Sequence, residues 1–174
     1  MKASGAASVI IEDYETRGAE TDHQDLRLWL RMMTIHKLIN NEARRRLRVE
    51  FGMSLSRFDL MSQLDGKDQD IRMGELSSRL MVTTGNITGL TNELEHDGLV
   101  ERMADPTSRR AFLVRLTPKG RRQFKIAARA LENWITEYFS VFSQKEKKVL
   151  FDLLGEQKTF ILDRLRSDVK ATSK

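Results

Sequence analysis

Small and polar side chains share one face of a predicted helix that ends near Gly98. At 100 degrees per residue, that face holds Gly85, Thr88, Gly89, Asn92 and His96. A glycine inside a helix costs about 1 kcal/mol relative to alanine, so close approach to another surface should offset the loss. Asn and Thr can contact base edges and thymine methyl groups in a DNA major groove. This face is therefore a candidate major-groove surface.

The alternative for this face is simple exposure to solvent, with the glycines as tolerated weak points. A solvated helix face usually carries Glu, Lys and Arg, which this chain uses freely elsewhere. We therefore favour the groove interpretation. The candidate DNA-contacting residues on this helix are Thr84, Gly85, Thr88, Gly89 and Asn92.

Two arginines, Arg109 and Arg110, lie at the tip of a predicted β-hairpin. The segments 99–103 and 111–116 alternate like strands, and the polar turn between them contains a proline. A basic hairpin beside such a helix can reach the minor groove or the phosphates, so both arginines are DNA-contacting candidates. The alternative is a solvated turn with two stray charges. Further basic residues between 115 and 125 extend the positive charge and disfavour that alternative.

The segment from Leu26 to about Val49 is predicted to form a first helix with apolar residues on two faces. Such a helix must be covered on both faces, and a second copy of the chain is the most economical cover. Further helices are predicted by their caps: Ser56 for the second, Thr83 or Thr84 for the helix that ends near Gly98, Thr117 for a long one, and the Ser143 and Glu146 capping box for the last.

Two short helices, a helix with a groove-like face and a basic hairpin follow one another in the order of a winged helix-turn-helix. The expected fold is therefore mainly α with a small β-hairpin wing. We expect a flexible tail at 1–21, a first dimerisation helix at 22–50, a winged helix-turn-helix region at 54–118 and C-terminal dimerisation helices at 119–170.

Composition removes several classes of function. The 174 residues include no cysteine, and the three histidines are widely separated, so neither disulfides nor a zinc site are expected. No apolar run reaches the roughly 18 residues of a membrane span, and the start lacks the pattern of a secretory signal, which favours the cytoplasm. Because no phosphate loop, nucleophile elbow or carboxylate pair is present, we expect neither an enzyme nor a cofactor.

The segment LSSRLMVTTGNITGLTNELEHDGLVERMADPTSRRAFLVRLTPKG resembles the DNA-binding core of the MarR family of bacterial transcriptional regulators. The resemblance extends over nearly all of the chain after residue 22 and is most specific in DGLVER and in the wing leading into LTPKG. It implies a homodimer on a pseudo-palindromic operator in double-stranded DNA, most often a repressor released by a small ligand. The alternative is a winged-helix protein-interaction module without an effector, which should expose Leu, Phe or Tyr instead.

One position departs from the family pattern. The family commonly has Asp immediately before the paired arginines, where it braces the second one, and this chain has Ser108 there. Asp105 is the candidate replacement for the brace. We expect Arg110 to enter the minor groove and Arg109 to meet phosphate.

The resemblance also implies a ligand site between the dimerisation helices and the winged domain. Its candidate wall residues are Trp29, Met33, His36 and Phe58. The alternative, which we favour for His36 in particular, is that they are ordinary core residues. The stretches LRLWLRMM and SRFDLMSQLD are similar to a MarR subgroup that responds to aromatic acids or their acyl-CoA thioesters, which implies such an effector.

Overall fold

Six helices and three short strands form the part of the chain that this computed structural model describes, residues 23–66 and 70–172. The side chains of residues 109, 110 and 169–172 lie outside that description. The helices are α1 (Gln24–Phe51), α2 (Leu55–Leu64), α3 (Met73–Leu80), α4 (Thr84–His96), α5 (Pro118–Tyr138) and α6 (Gln144–Thr172). The strands are β1 (Ile71–Arg72), β2 (Val100–Asp105) and β3 (Ser108–Leu116). The expectation of a mainly α fold with a small β wing is confirmed.

The chain divides into two compact units, residues 1–127 and 128–174. The first unit contains α1 to α4, the sheet and the first half of α5, whereas the second contains the rest of α5 and α6. The predicted tail, residues 1–21, lies outside the described residues. No helix among the described residues is long and apolar enough to cross a bilayer.

The sheet is antiparallel with the strand order β1-β3-β2. The predicted hairpin is present, but its turn is shorter than the sequence suggested. Asp105 pairs with Ser108, so only Pro106 and Thr107 form the turn. Arg109 and Arg110 therefore belong to β3 and do not lie at the hairpin tip. The physical reason is that the Asp105 carboxylate accepts hydrogen bonds from Thr107 N–H and Oγ1, at 2.8 and 2.7 Å, and closes the turn at once.

The core of the first unit lies where α2, α3 and α4 meet the sheet. Leu60, Ile87, Leu94 and Val114 are fully buried there. Thr91 is also buried, and its hydroxyl donates to the Ile87 carbonyl at 2.7 Å, so its polar group is satisfied within α4. This packing fixes which face of α4 points inward.

Hydrogen bonds at the helix starts confirm three predicted caps and correct one. Thr83 caps α4, Thr117 accepts from Gly120 N–H at 3.0 Å, and Ser143 exchanges bonds with Glu146. Ser54, not Ser56, caps α2, because its backbone is extended and its Oγ accepts from the N–H of Arg57 at 3.2 Å. Ser56 lies inside the helix.

The first turn of α5 packs directly on the main chain of Leu99. A Cβ added to Gly120 would lie 1.9 Å from the Leu99 carbonyl oxygen, so only glycine allows this approach. Thr117 N–H donates to the same oxygen at 3.0 Å, and its hydroxyl donates to the Gly98 carbonyl at 2.7 Å. These contacts join the end of the hairpin to α5 and to the loop after α4.

Helices α1 and α6 each expose many large apolar side chains. On α1 these are Leu26, Leu28, Trp29, Met33, Ile35, Leu38 and Val49. On α6 they are Val149, Phe151, Leu153, Leu154, Phe160, Ile161, Leu162 and Leu165. Exposed apolar surface of this extent is typical of an interface between proteins.

Candidate nucleic-acid interface

Helix α4 presents a slim polar face to solvent. Gly85, Gly89 and Asn92 are exposed on it, together with Thr84 and His96, and Thr88 is half-buried. The hydroxyl of Thr88 donates to the Thr84 carbonyl at 2.9 Å, so this polar group is satisfied within α4. The structure thus brings all five candidate residues of this helix together on one side. Their contact with DNA stays a prediction.

The chain's own packing does not require glycine at either position 85 or position 89. A Cβ placed on Gly85 or Gly89 would meet no atom within 4 Å, in contrast to Gly120. Neither residue has a positive φ, so backbone conformation does not demand glycine either. An isolated protein would gain helix stability from alanine at both positions. The chain's own packing and backbone conformation therefore explain neither glycine.

The wing turn is held by a residue that the sequence analysis missed. Arg72 on β1 donates from Nε to the Asp105 carboxylate at 2.6 Å and from Nη2 to the Thr107 hydroxyl at 2.7 Å. The hydroxyl and N–H of Thr107, followed by Arg72, lower the pKa of Asp105 to about 2. The carboxylate is therefore ionised at neutral pH and ties Arg72 of the edge strand β1 to the turn. No local sequence signal links residues 33 positions apart.

Asp105 was also the candidate replacement for the missing brace beside the arginines. Its carboxylate accepts from Arg72 and from both donors of Thr107, so it serves the turn itself. The guanidinium groups of Arg109 and Arg110 lie outside the described side chains, and their roles remain predictions.

Several basic residues near the wing are engaged within the chain. Arg115 Nε pairs with Glu101 at 2.6 Å, and Glu101 raises the pKa of Arg115. Lys119 Nζ donates to the Asp97 carbonyl at 2.8 Å, and Arg121 lies 3.4 Å from Asp65. These cations hold the domain together, so they add less to a DNA-binding surface than a count of charges suggests.

The four candidate ligand-wall residues do not meet in one place. Trp29, Met33 and His36 are exposed on α1, and the His36 ring nitrogen Nε2 lies 2.8 Å from the side-chain amide nitrogen of Asn40. Only Phe58 is buried, with its ring 5.1 Å from that of Phe124. Phe58 is therefore a core residue, whereas Trp29, Met33 and His36 are exposed in the single chain. Only one candidate wall residue is a core residue.

A cleft of about 420 Å³ opens elsewhere in the first unit, beside the C-terminal end of α4. Arg57, Asp97 and Lys119 line it, and Arg57 forms an ion pair with Asp97 across it. None of the four candidate wall residues lines this cleft. Arg57 pairs with Asp97, and Lys119 donates to the Asp97 main-chain carbonyl, so the cleft resembles a polar junction between helices more than an aromatic pocket.

Comparisons with known proteins find similarity to bacterial transcriptional regulators of the helix-turn-helix type. The model of the MarR family matches residues 53–112, which run from the loop before α2 into the wing. The chain is 29% identical over 110 residues to an uncharacterised regulator of the HTH type, YdgJ of Bacillus subtilis, covering 63% of this chain and 66% of YdgJ. It is also 29% identical over 148 residues to the transcriptional repressor YetL of the same organism, covering 84% of this chain and 87% of YetL.

A solved structure extends the similarity to a protein bound to DNA. The crystal structure of Streptococcus pneumoniae FabT in complex with DNA superposes with a TM-score of 0.67 at 26% identity. The superposition covers 82% of this chain and 99% of FabT.

Proposed function

We propose that this chain is a DNA-binding transcriptional regulator with a winged-helix domain of the MarR type, and that it represses transcription as a homodimer on a pseudo-palindromic operator. Repression is the activity that the name of YetL records, and a winged helix with a slim polar face is suited to duplex DNA. We place this activity in the cytoplasm.

The observation that carries the proposal is the empty space around Gly85 and Gly89. A face without side chains allows the α4 backbone to approach a base-pair edge, and Thr88 and Asn92 on the same face can contact bases. A protein-binding surface would need large apolar side chains there, and α4 exposes none of them on this side. The interaction-module alternative is therefore disfavoured.

The exposed apolar faces of α1 and α6 support a homodimer. Burying them against a second copy would remove several large side chains from water, each contributing about 1.5 to 3 kcal/mol when fully buried. An isologous dimer would set two copies of α4 about 34 Å apart, one turn of duplex DNA. We therefore assign dimerisation to residues 22–50 and 119–170, and DNA binding to residues 54–118.

We also propose a small aromatic acid or an aromatic acyl-CoA as the effector. Trp29, Met33 and His36 recur at three- and four-residue spacing along α1, so an indole, a thioether and an imidazole are available on one side of that helix. An aromatic ring could pack on the indole while the imidazole meets an acidic group. Phe58 already packs on Phe124 in the core, so we do not expect it to touch the ligand.

Gel-shift titration at two salt concentrations tests the proposed function. Duplex fragments retained from the organism's own genome would supply the operator. Binding that neutralises phosphates must weaken steeply as salt rises, and a protein-only module would retain no specific duplex. Absence of specific retention at low salt would reject the regulator.

Arg110→Ala should lower operator affinity by about 1 to 3 kcal/mol while the protein still sediments as a dimer. The reason is the loss of a guanidinium from the minor groove beside the wing. Arg109→Ala is the matched control, because a lost phosphate contact should weaken binding uniformly across sequences and reduce the salt slope by about 1. Unchanged affinity of Arg110→Ala would remove that arginine from the interface.

A further inference from the structure

Arg102 on β2 reaches across to the exposed face of α4. Its Nη2 donates a hydrogen bond to Oδ1 of Asn92, and its Nε lies 3.5 Å from a carboxylate oxygen of Glu95. Asn92 and Glu95 are three positions apart on α4, so they form neighbouring points on the same side of the helix. The guanidinium is therefore held between the candidate base-reading amide and a carboxylate.

The position of Arg102 in the sheet explains why it can do this. Arg102 pairs with Val114 in β3, whose side chain is fully buried, so Arg102 emerges on the side of the sheet that packs against the domain. Its side chain is 24% exposed and therefore largely fixed. The neighbouring pair Glu101 and Arg115 emerges on the opposite side of the sheet.

This contact divides the hydrogen-bonding groups of Asn92. An asparagine side chain offers one accepting oxygen and an amide group that donates two hydrogens. The bond from Arg102 is charge-assisted and takes one of the two lone pairs of the oxygen, so a further donor to that oxygen must lie beside a guanidinium, whereas the two amide hydrogens stay available. The exposed end of Asn92 therefore presents donors next to a positive charge.

Adenine and guanine differ in how well they can hydrogen-bond to the Asn92 amide beside the Arg102 guanidinium. Adenine is read by Asn through two bonds, in which the amide oxygen accepts from the adenine N6 amino group and the amide nitrogen donates to N7. With Arg102 on the oxygen, the N6 donor would meet a guanidinium that is itself only a donor. Guanine offers two acceptors, O6 and N7, in the major groove, and both suit a donor beside a cation.

We propose that Arg102 sets the base specificity of Asn92, turning it from an adenine reader into a donor that selects guanine. This proposal rests on the proposed function, because it requires α4 to lie in the major groove. Arg102 is a positioning residue in this arrangement and Asn92 is the residue that touches the base. Glu95 keeps the guanidinium in place by its charge.

A simple tie between α4 and β2 is the competing explanation of the contact. Glu95 alone would provide such a tie, and that pairing leaves Asn92 free. Instead, Arg102 also donates to Asn92, an exposed residue of the face that is proposed to enter the major groove. A tie and a specificity determinant also differ in what they predict for base preference, which can be measured.

Selection of operators from a randomised duplex library, followed by sequencing, tests the proposal. Asn92→Ala identifies the base pair that Asn92 reads, since preference should vanish at that pair in each half-site. There the wild-type protein should favour guanine over adenine by about tenfold. Arg102→Met retains the aliphatic stem and removes the donors, so the preference should shift towards adenine at that pair and at no other.

Arg115→Met is the matched control, since it removes an equal charge and an ion pair from the other side of the same sheet. It should leave base preference unchanged at every position. Adenine preferred by the wild-type protein, or an identical preference in folded Arg102→Met, would overturn the proposal while leaving the regulator intact. If Arg102→Met does not fold, the base that the wild-type protein prefers at the pair read by Asn92 still tests the proposal: guanine supports it and adenine overturns it. A wild-type protein that enriches no duplex would overturn the proposed function as well.

Discussion

Gly120→Ala should lower the free energy of unfolding by about 3 kcal/mol, the upper end of the usual cost of overpacking. The added methyl carbon would lie 1.9 Å from the Leu99 carbonyl oxygen and 2.8 Å from the carbonyl carbon, and both are main-chain atoms. Relief requires α5 to move away from the hairpin. That movement would stretch the bond from Thr117 N–H to Leu99, so the effect extends to the helix start.

Gly155→Ala is the control for this substitution. Gly155 lies inside α6, and a Cβ there would meet no atom within 4 Å. Alanine should therefore stabilise the protein by up to about 1 kcal/mol through helix propensity alone. Urea unfolding followed by circular dichroism measures both variants. A Gly120→Ala protein as stable as the wild type would show that α5 does not pack on Leu99 as described.

Gly89→Leu should abolish specific duplex binding while the protein remains folded. The space around Gly89 is open within the chain, so a leucine fits the isolated protein. In the complex, the same side chain would keep the α4 backbone away from the base edges and block every contact of that face. A gel-shift titration and a thermal melt on the same preparation report the two properties.

The smaller change Gly89→Ala should affect folding stability and DNA binding in opposite directions. It should raise the free energy of unfolding by about 1 kcal/mol, since alanine is the better helix former. It should at the same time weaken operator binding, by about tenfold if the methyl group costs close to 1.4 kcal/mol at a tightly packed contact. A variant that is more stable and binds equally well would mean that this face is merely solvated.

Most of the helical framework could be predicted from periodicity and capping residues. Thr117 and the Ser143 and Glu146 pair act within three residues of the helix start, so the sequence alone identifies them, whereas for α4 it offers Thr83 and Thr84 and the structure selects Thr83. The cap of α2 was misassigned because two serines, Ser54 and Ser56, compete at adjacent sites and only backbone conformation decides between them.

The interactions that shape the candidate interface could not be predicted in this way. Arg72 meets Asp105, and Arg102 meets Asn92, only after the sheet has formed its register. The two-residue turn that places Arg109 and Arg110 in β3 also depends on the Asp105 side chain folding back on Thr107. Such contacts depend on three-dimensional packing, which hydrophobic periodicity does not record.

The first helix shows a second limit of sequence patterns. Its apolar residues predicted burial, and His36 was assigned to the core, yet Trp29 and His36 are exposed in the single chain. Periodicity indicates only that a face avoids water. The pattern does not indicate whether the surface that covers this face belongs to the same chain or to a partner.

Methylation protection of the bound operator tests the placement of α4 most directly. Dimethyl sulfate modifies guanine at N7 in the major groove and adenine at N3 in the minor groove, so one experiment reports both grooves. The expected result is protection of guanine N7 in two patches about one helical turn apart, with adenine N3 protected beside each. A bound operator whose guanines all stay reactive at N7 would contradict a recognition helix in the major groove.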